Sequence, residues 1–291
     1  MTKPLIHPNW DLVPECMTDG YSIEMTAKDI ESLREAAPRM PAETPVAVTF
    51  LPGETLEARI AAAKAVRAAG FEPMPHFSAR RIESQAALEE YLTTVVAEAG
   101  VSRCFVIAGD PPEAAGPFSD SSQVIGTGVF ERAGIKAIGV GGHPEGHPNM
   151  TDAERWAVLE AKIGAIEARG LATLIVTQFS FDADPVLRWL EQLRARGIDA
   201  PVRIGVPGPA GIKTLLRFAA RCGVGASASV MTKYGVSITK LIGTSGPDKL
   251  VGDFAKKLGP QHGRVRLHFY PFGGLAKTVE WIEGYAAKHA H

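Results

Sequence analysis

Apolar residues along this chain fall into eight short runs, each separated from the next by a longer polar or amphipathic stretch. The runs occupy residues 21–25, 45–50, 72–78, 104–110, 137–142, 172–179, 202–208 and 265–272. Most are apolar almost throughout instead of alternating, which is the pattern of parallel strands covered on both faces. Residues 55–69, 84–99, 152–169 and 184–196 read as helices, the last started by Asp182 or Asp184 as N-cap. A glycine follows each of the four (Gly70, Gly100, Gly170, Gly197), as expected where a helix ends in a left-handed residue. Eight strand–helix units predict the α/β class and a single closed (β/α)8 TIM barrel over residues 1–291. Residues 226–261, between the seventh and eighth strands, break the rhythm. They are expected to form an inserted helical pair over the barrel's top. No linker or low-complexity tract marks a second domain.

Composition narrows the function classes. The chain has 291 residues, 45% of them hydrophobic, enough for one large core. A formal net charge of −1 argues against nucleic acid as the main partner. No apolar run approaches the roughly 20 residues that span a bilayer. The first sixteen residues place Pro, Asp and Glu where a leader peptide needs an apolar stretch, so a cytoplasmic location is expected. Cys16, Cys104 and Cys222 are scattered, form no CxxC pair and read as reduced thiols.

In an α/β barrel the chemistry sits at the C-terminal ends of the strands. The polar residues there are Glu24, Thr49, His76, Asp110, His143, Glu145, His147, Gln178 and Tyr270. Any one of them reads equally well as a loop cap. Together they ring one cavity. The phrase His-Pro-Glu-Gly-His-Pro at 143–148 has the composition of a metal site. Its two prolines and glycine make it a rigid loop, not a pair of histidines one helical turn apart, and no metal is expected.

Four phrases then occur in order: AGDPP at 108–112, HPEGHP at 143–148, TQFSFD at 177–182 and LHFYPF at 267–272. With the earlier strand ends at 22–24, 48–50 and 75–77, they resemble the motifs of methylenetetrahydrofolate reductases over about residues 21–285. The resemblance implies a barrel enzyme that reduces 5,10-methylenetetrahydrofolate to 5-methyltetrahydrofolate in methionine-linked one-carbon metabolism. It places the general acid at Glu24, to protonate N10 and open the five-membered ring. Asp110 would hold the pterin and stabilise the cationic iminium, with Gly109 allowing close backbone approach. Gln178 and Tyr270 would complete the folate site. Thr49, His76, Gly109, His143, His147 and Lys162 would contact the flavin of FAD or its phosphates, and NADH or NADPH would supply electrons.

The chain departs from the family pattern at three places. Ala108 stands where Arg is common, His143 where Tyr is common, and Ile166 where a second lysine follows Lys162. All three weaken the expected hold on FAD, so weak flavin binding, or direct hydride transfer from NADH, is expected. Two rival readings remain open. One is a barrel lyase or isomerase acting on a phosphorylated metabolite, with its phosphate at the 208–211 turn. The other is a non-catalytic folate- or flavin-binding module. Partners are expected to be small molecules, with homo-oligomerisation possible.

Overall fold

The structure is a computed structural model, and it describes residues 14–225, 234 and 244–289. Eight parallel strands close into a barrel: β1 (Ser22–Met25), β2 (Pro45–Val48), β3 (Glu72–Ser78), β4 (Arg103–Ile107), β5 (Ala137–Gly142), β6 (Ala172–Phe179), β7 (Val202–Pro207) and β10 (Val265–Tyr270). β10 pairs with β1 and completes the ring. Each sequence run holds one strand. The ends of several runs, at Thr49, Ala108–Asp110 and Pro271, leave the ladder to form the loops of the mouth. Two short strands, β8 (Ala210–Gly211) and β9 (Thr244–Ser245), pair antiparallel beside it.

The helices are α1 (Ile30–Ala36), α2 (Leu56–Ala68), α3 (Gln85–Ala99), α4 (Ser121–Gly126), α5 (Val129–Arg132), α6 (Asp152–Glu167), α7 (Ala183–Ala195), α8 (Ile212–Cys222), α9 (Asp248–Lys257) and α10 (Leu275–His289). Their starts are chemically marked. The Thr55, Ser84 and Asp182 side chains each accept from a first-turn amide, and Thr151 with Glu154 forms a capping box. These helices lie around the barrel. α10, α1, α2 and α3 pack in succession, α4 rests on α6, and α9 rests on α7.

The expected helical insertion is present between the seventh and eighth barrel strands, but its described helix does not lie over the top. Residues 226–233 and 235–243 of that interval lie outside the described residues. The helix within it, α9, packs outside the barrel against α7, tied by Lys257 to Asp184 at 2.6 Å. The helix at the mouth is instead α8, which precedes the interval. Its buried side, Ile212, Leu215 and Ala219, repeats with helical period.

Strand parity divides the barrel's contents. One set faces the helices and builds the large outer core. The other faces inward, where Ala47, Met74, Phe105, Leu174 and Val176 form a separate cluster. Below it lie Arg103, Arg203 and Arg266. Burial first, then the other two guanidinium groups, pushes Arg203 down to about 9. Above the apolar layer the same parity carries Glu24 and His76.

Between β6 and β7 the register slips. Val176 pairs with Arg203 and Phe179 with Gly205, so β6 carries one extra residue at 177–178. The Thr177 hydroxyl repairs the ladder by accepting from the Gly205 amide at 2.9 Å. Such bulges re-aim side chains beside active sites. Gly205 has no room for a side chain: a Cβ there would meet Thr177 O at 2.5 Å and Phe179 N at 2.8 Å, both backbone. Gly205→Ala is therefore expected to destabilise the fold by about 1–3 kcal/mol, the range for overpacking a tight interior. Chemical denaturation of the two proteins measures it, and an unchanged midpoint would show that the bulge gives way freely.

Candidate active site

Glu24 stands one residue before the end of β1, opposite Ala47 of β2, and points into the lumen. Its carboxylate is 18% exposed, and its Oε1 lies 3.7 Å from Nε2 of both His76 and His268. Ser22, two residues back on the same inward parity, bonds His268 Nδ1 through Oγ at 2.8 Å. A serine, a histidine and a carboxylate thus stand in line across the β1–β10 seam. His76 stacks against Phe105 with ring centres 4.8 Å apart. Burial pushes the His76 imidazole down to about 4, with His268 and Arg59 adding to the effect and Glu24 opposing it. At neutral pH His76 is an uncharged ring.

Gln178 lies at the bulge, half-buried, its Oε1 accepting from the Phe179 amide at 3.1 Å. Tyr270 closes the far wall. Its hydroxyl donates to Thr177 O at 2.9 Å, and its ring packs edge-on to His268 and Phe179. Burial pushes the phenol well above its ordinary range. Thr49 is buried and donates to Met25 O at 3.1 Å, which ties the loop after β2 to β1.

Gly109 takes φ +92°, and a Cβ there would lie 2.2 Å from Ser78 Oγ, so only glycine fits between β3 and the Asp110 turn. Asp110 projects at the rim, where Arg81 donates to its Oδ1 and Arg221 of α8 to its Oδ2, the latter at 3.1 Å. Partial burial raises this carboxyl, but the two guanidinium groups outweigh that and hold it below the usual range.

α8 extends from the β7 side of the mouth to these loops. Phe218 stacks on Phe272, which follows β10, at 4.0 Å between ring centres. At its far end Arg221 reaches Asp110, and the Gly225 amide reaches Glu145 Oε2 at 3.3 Å. The Cys222 thiol is half-buried, and burial raises it, with Arg221 opposing and the Glu24 and Asp110 carboxylates adding to the effect.

The loop after β5 gathers His143 and His147, edge to face at 5.0 Å. Burial pushes His143 down to about 4, reinforced by His147, Lys162 and Arg155. Burial likewise lowers Lys162, with Asp120 opposing. Glu145 is raised by burial, against the hydrogen bonds it accepts. Arg155, in the first turn of α6, donates to His143 O, while its Nε is buried without a hydrogen-bond partner. Ser78 Oγ, at the end of β3, and Arg81 Nε, in the turn that follows, are unsatisfied in the same way. Buried orphan donors at a barrel mouth mark a place for a polar ligand or water. Ile166 corrects one expectation: it is fully buried in the outer core, so it does not face this loop. The second cation here is Arg155, seven residues before Lys162 on the same helix face.

Strand-end reading thus located Glu24, His76, Gln178 and Tyr270 around one lumen. It missed Ser22 and His268, although each lies two residues from a chosen residue on the same strand face. It also missed Arg81, Arg155 and Arg221, which sit on loops and helices. The two lowered histidines have a consequence for stability. Above pH 6.5, His76 and His143 are neutral in folded and unfolded chains alike. Below it the unfolded chain takes up protons that the folded one does not until about pH 4. Stability should fall with pH across that window and then level off for these groups. Replacing His76 by Gln should flatten part of the slope in denaturation midpoints measured from pH 7 to 4; an unaltered slope would show that His76 titrates normally.

Comparison with known proteins bears on the family and on the fold. A family description, methylenetetrahydrofolate reductase, matches residues 20–270. A Saccharomyces cerevisiae protein named methylenetetrahydrofolate reductase 2 is 32% identical over 129 residues, which cover 42% of this chain and 21% of that protein. A Pectobacterium carotovorum 5,10-methylenetetrahydrofolate reductase is 28% identical over 155 residues, covering 52% of this chain and 48% of the relative. The matched segments thus span half or less of these relatives' own lengths. Among solved structures, a Clostridium thermocellum protein described as binding two copies of 5-methyl-5,6,7,8-tetrahydrofolic acid superposes with a TM-score of 0.62. It is 12% identical and covers 92% of this chain and 93% of its own, a likeness of fold. With a family match running from two residues before β1 to the last residue of β10, the chain belongs to the methylenetetrahydrofolate reductase family.

Proposed function

We propose that this protein reduces 5,10-methylenetetrahydrofolate to 5-methyltetrahydrofolate with NADH or NADPH as electron source, feeding methionine-linked one-carbon metabolism. The observation that carries the reading is Glu24, a carboxyl inside the barrel mouth between two imidazoles at 3.7 Å, one of them anchored by Ser22. The reaction needs an acid, because the N10 amine leaves poorly as an anion. Protonation by Glu24 opens the imidazolidine ring to an N5 iminium, and hydride addition to the exposed carbon makes the methyl group. Neutral His76 places no cation against Glu24 on that side. His268, in line with Ser22, is placed to return a proton to Glu24 through a small approach or one water. Asp110 and Gln178 offer acceptor and donor groups to the pterin edge.

For FAD, the residues present fit the phosphate end: Lys162 and Arg155 are cations beside His143 and His147, and Arg155 Nε is an unused buried donor. Thr49, His76, Gly109, His143, His147 and Lys162 would hold the cofactor, which when bound would relay hydride from nicotinamide to substrate. The rival reading as a lyase or isomerase of a phosphorylated metabolite loses support at the 208–211 turn. Ala210 and Gly211 there pair with Ser245 and Thr244, and a Cβ on Gly208 would meet Thr278 Oγ1 at 2.4 Å.

Two measurements test the reading. Glu24→Gln keeps size and hydrogen bonding but supplies no usable proton. Folate-dependent NADH oxidation should drop by about 10²–10⁴-fold, the worth of a positioned general acid, while nicotinamide binding and the melting temperature stay close to wild type. A variant within a few-fold of wild type would remove Glu24 from the mechanism. FAD should be partly or wholly lost on purification, since Ala108 withholds one charged contact of the kind that contributes about 1.5–3 kcal/mol. A protein that stays yellow at one flavin per chain through long dialysis would contradict that.

A further inference from the structure

Asp110 is the carboxylate that the proposed function assigns to the pterin, and here both its oxygens are engaged by guanidinium groups. Arg81, on the loop after β3, holds Oδ1. Arg221, near the end of α8, holds Oδ2 at 3.1 Å. The pterin edge that a carboxylate recognises is an N3–H beside a 2-amino group: two donors in one plane, the same face that a guanidinium presents. We infer that α8 is a latched cover on the barrel mouth, and that Arg221 occupies on Asp110 the place of the substrate's pterin edge. Substrate entry then requires that Arg221 let go.

Two features carry this beyond the single ion pair. α8 packs at the mouth and not among the helices around the barrel, where α9 rests on α7 in the place expected of the helix after β7. Its contacts fall on opposite sides of the mouth: Phe218 on Phe272 after β10, Arg221 on Asp110 after β4, and the adjoining Gly225 amide on Glu145 after β5. The latch is also weak enough to open. Arg221 and Asp110 are 58% and 56% exposed, and exposed pairs of this kind contribute little. Arg81 is 15% exposed and is the permanent partner, aligning Asp110 while Arg221 exchanges with ligand.

The inference rests on the folate reading, and its test separates the two. The probe is 5-methyltetrahydrofolate monoglutamate, with binding measured by calorimetry and opening of α8 by hydrogen exchange at the 212–222 amides. Arg221→Gln should tighten binding about two- to five-fold, the worth of an exposed ion pair, and speed exchange along α8. Arg221→Lys, which keeps the charge without the planar fork, should lie between it and wild type. Arg217→Gln, on the same helix but away from Asp110, should leave binding unchanged. If wild type binds the probe while Arg221→Gln binds it equally or less tightly, the latch is refuted and the folate reading stands. If wild type does not bind it, the folate reading fails and the latch with it. Should Arg221→Gln not fold, Arg221→Lys decides by the same comparison.

Discussion

Closure of the barrel between β1 and β10 is the constraint on which the rest depends. Once the ring is shut, every second residue of every strand faces one narrow lumen, and its chemistry is set by depth. Arginines lie at the bottom, an apolar plug of Met74, Phe105 and Leu174 sits above them, and the polar groups start at Glu24 and His76. Glycines are part of the same packing: a Cβ on Gly139 would meet the Phe105 ring at 2.6 Å, and Gly205 leaves space for Tyr270.

Within that lumen the decisive effect is desolvation. His76 and Tyr270 are both driven toward their neutral forms chiefly by burial, and each keeps a contact that holds its ring in place. A mouth lined by neutral donors and acceptors has strong, fixed dipoles and few mobile charges, which suits a reaction that passes through a cation on the substrate. Formal charge is pushed outward, to Asp110 with its two arginines and to Lys162 and Arg155 on the β5 side. The site therefore has a neutral interior beside the acid and a charged rim where ligands are gripped. The departures from the family pattern at Ala108 and His143 both fall on that rim.

α8 connects the two zones. It crosses the mouth from Phe272 after β10 to Asp110 after β4, which it reaches through Arg221. Its inner side packs through Ile212, Leu215 and Ala219, but its ties across the rim are an aromatic stack, an exposed ion pair and one long bond from a backbone amide to the Glu145 carboxylate, each weak beside the barrel ladder. An element held by such ties is drawn from the low-stability end of a fold, where covers over binding sites are found.

The sequence by itself determined the class of fold, since doubly buried runs, helix caps and terminal glycines are local signals whose meaning survives without neighbours. All eight barrel strands and the four marked helices lay where those signals put them. The ordered strand-end phrases likewise carried the family, because a motif is short-range. The partners of those residues were decided only by tertiary structure. Ser22 and His268 are 246 residues apart and meet because β1 closes on β10. Arg221 and Asp110 are 111 apart and meet because α8 lies at the mouth instead of around the barrel. Ile166 looked available from its spacing to Lys162, yet α6 turns it into the core. Local sequence encodes backbone preference and polarity. Which side chains then share a lumen depends on ring closure and helix placement, and both are set by the sum of burial over the whole chain.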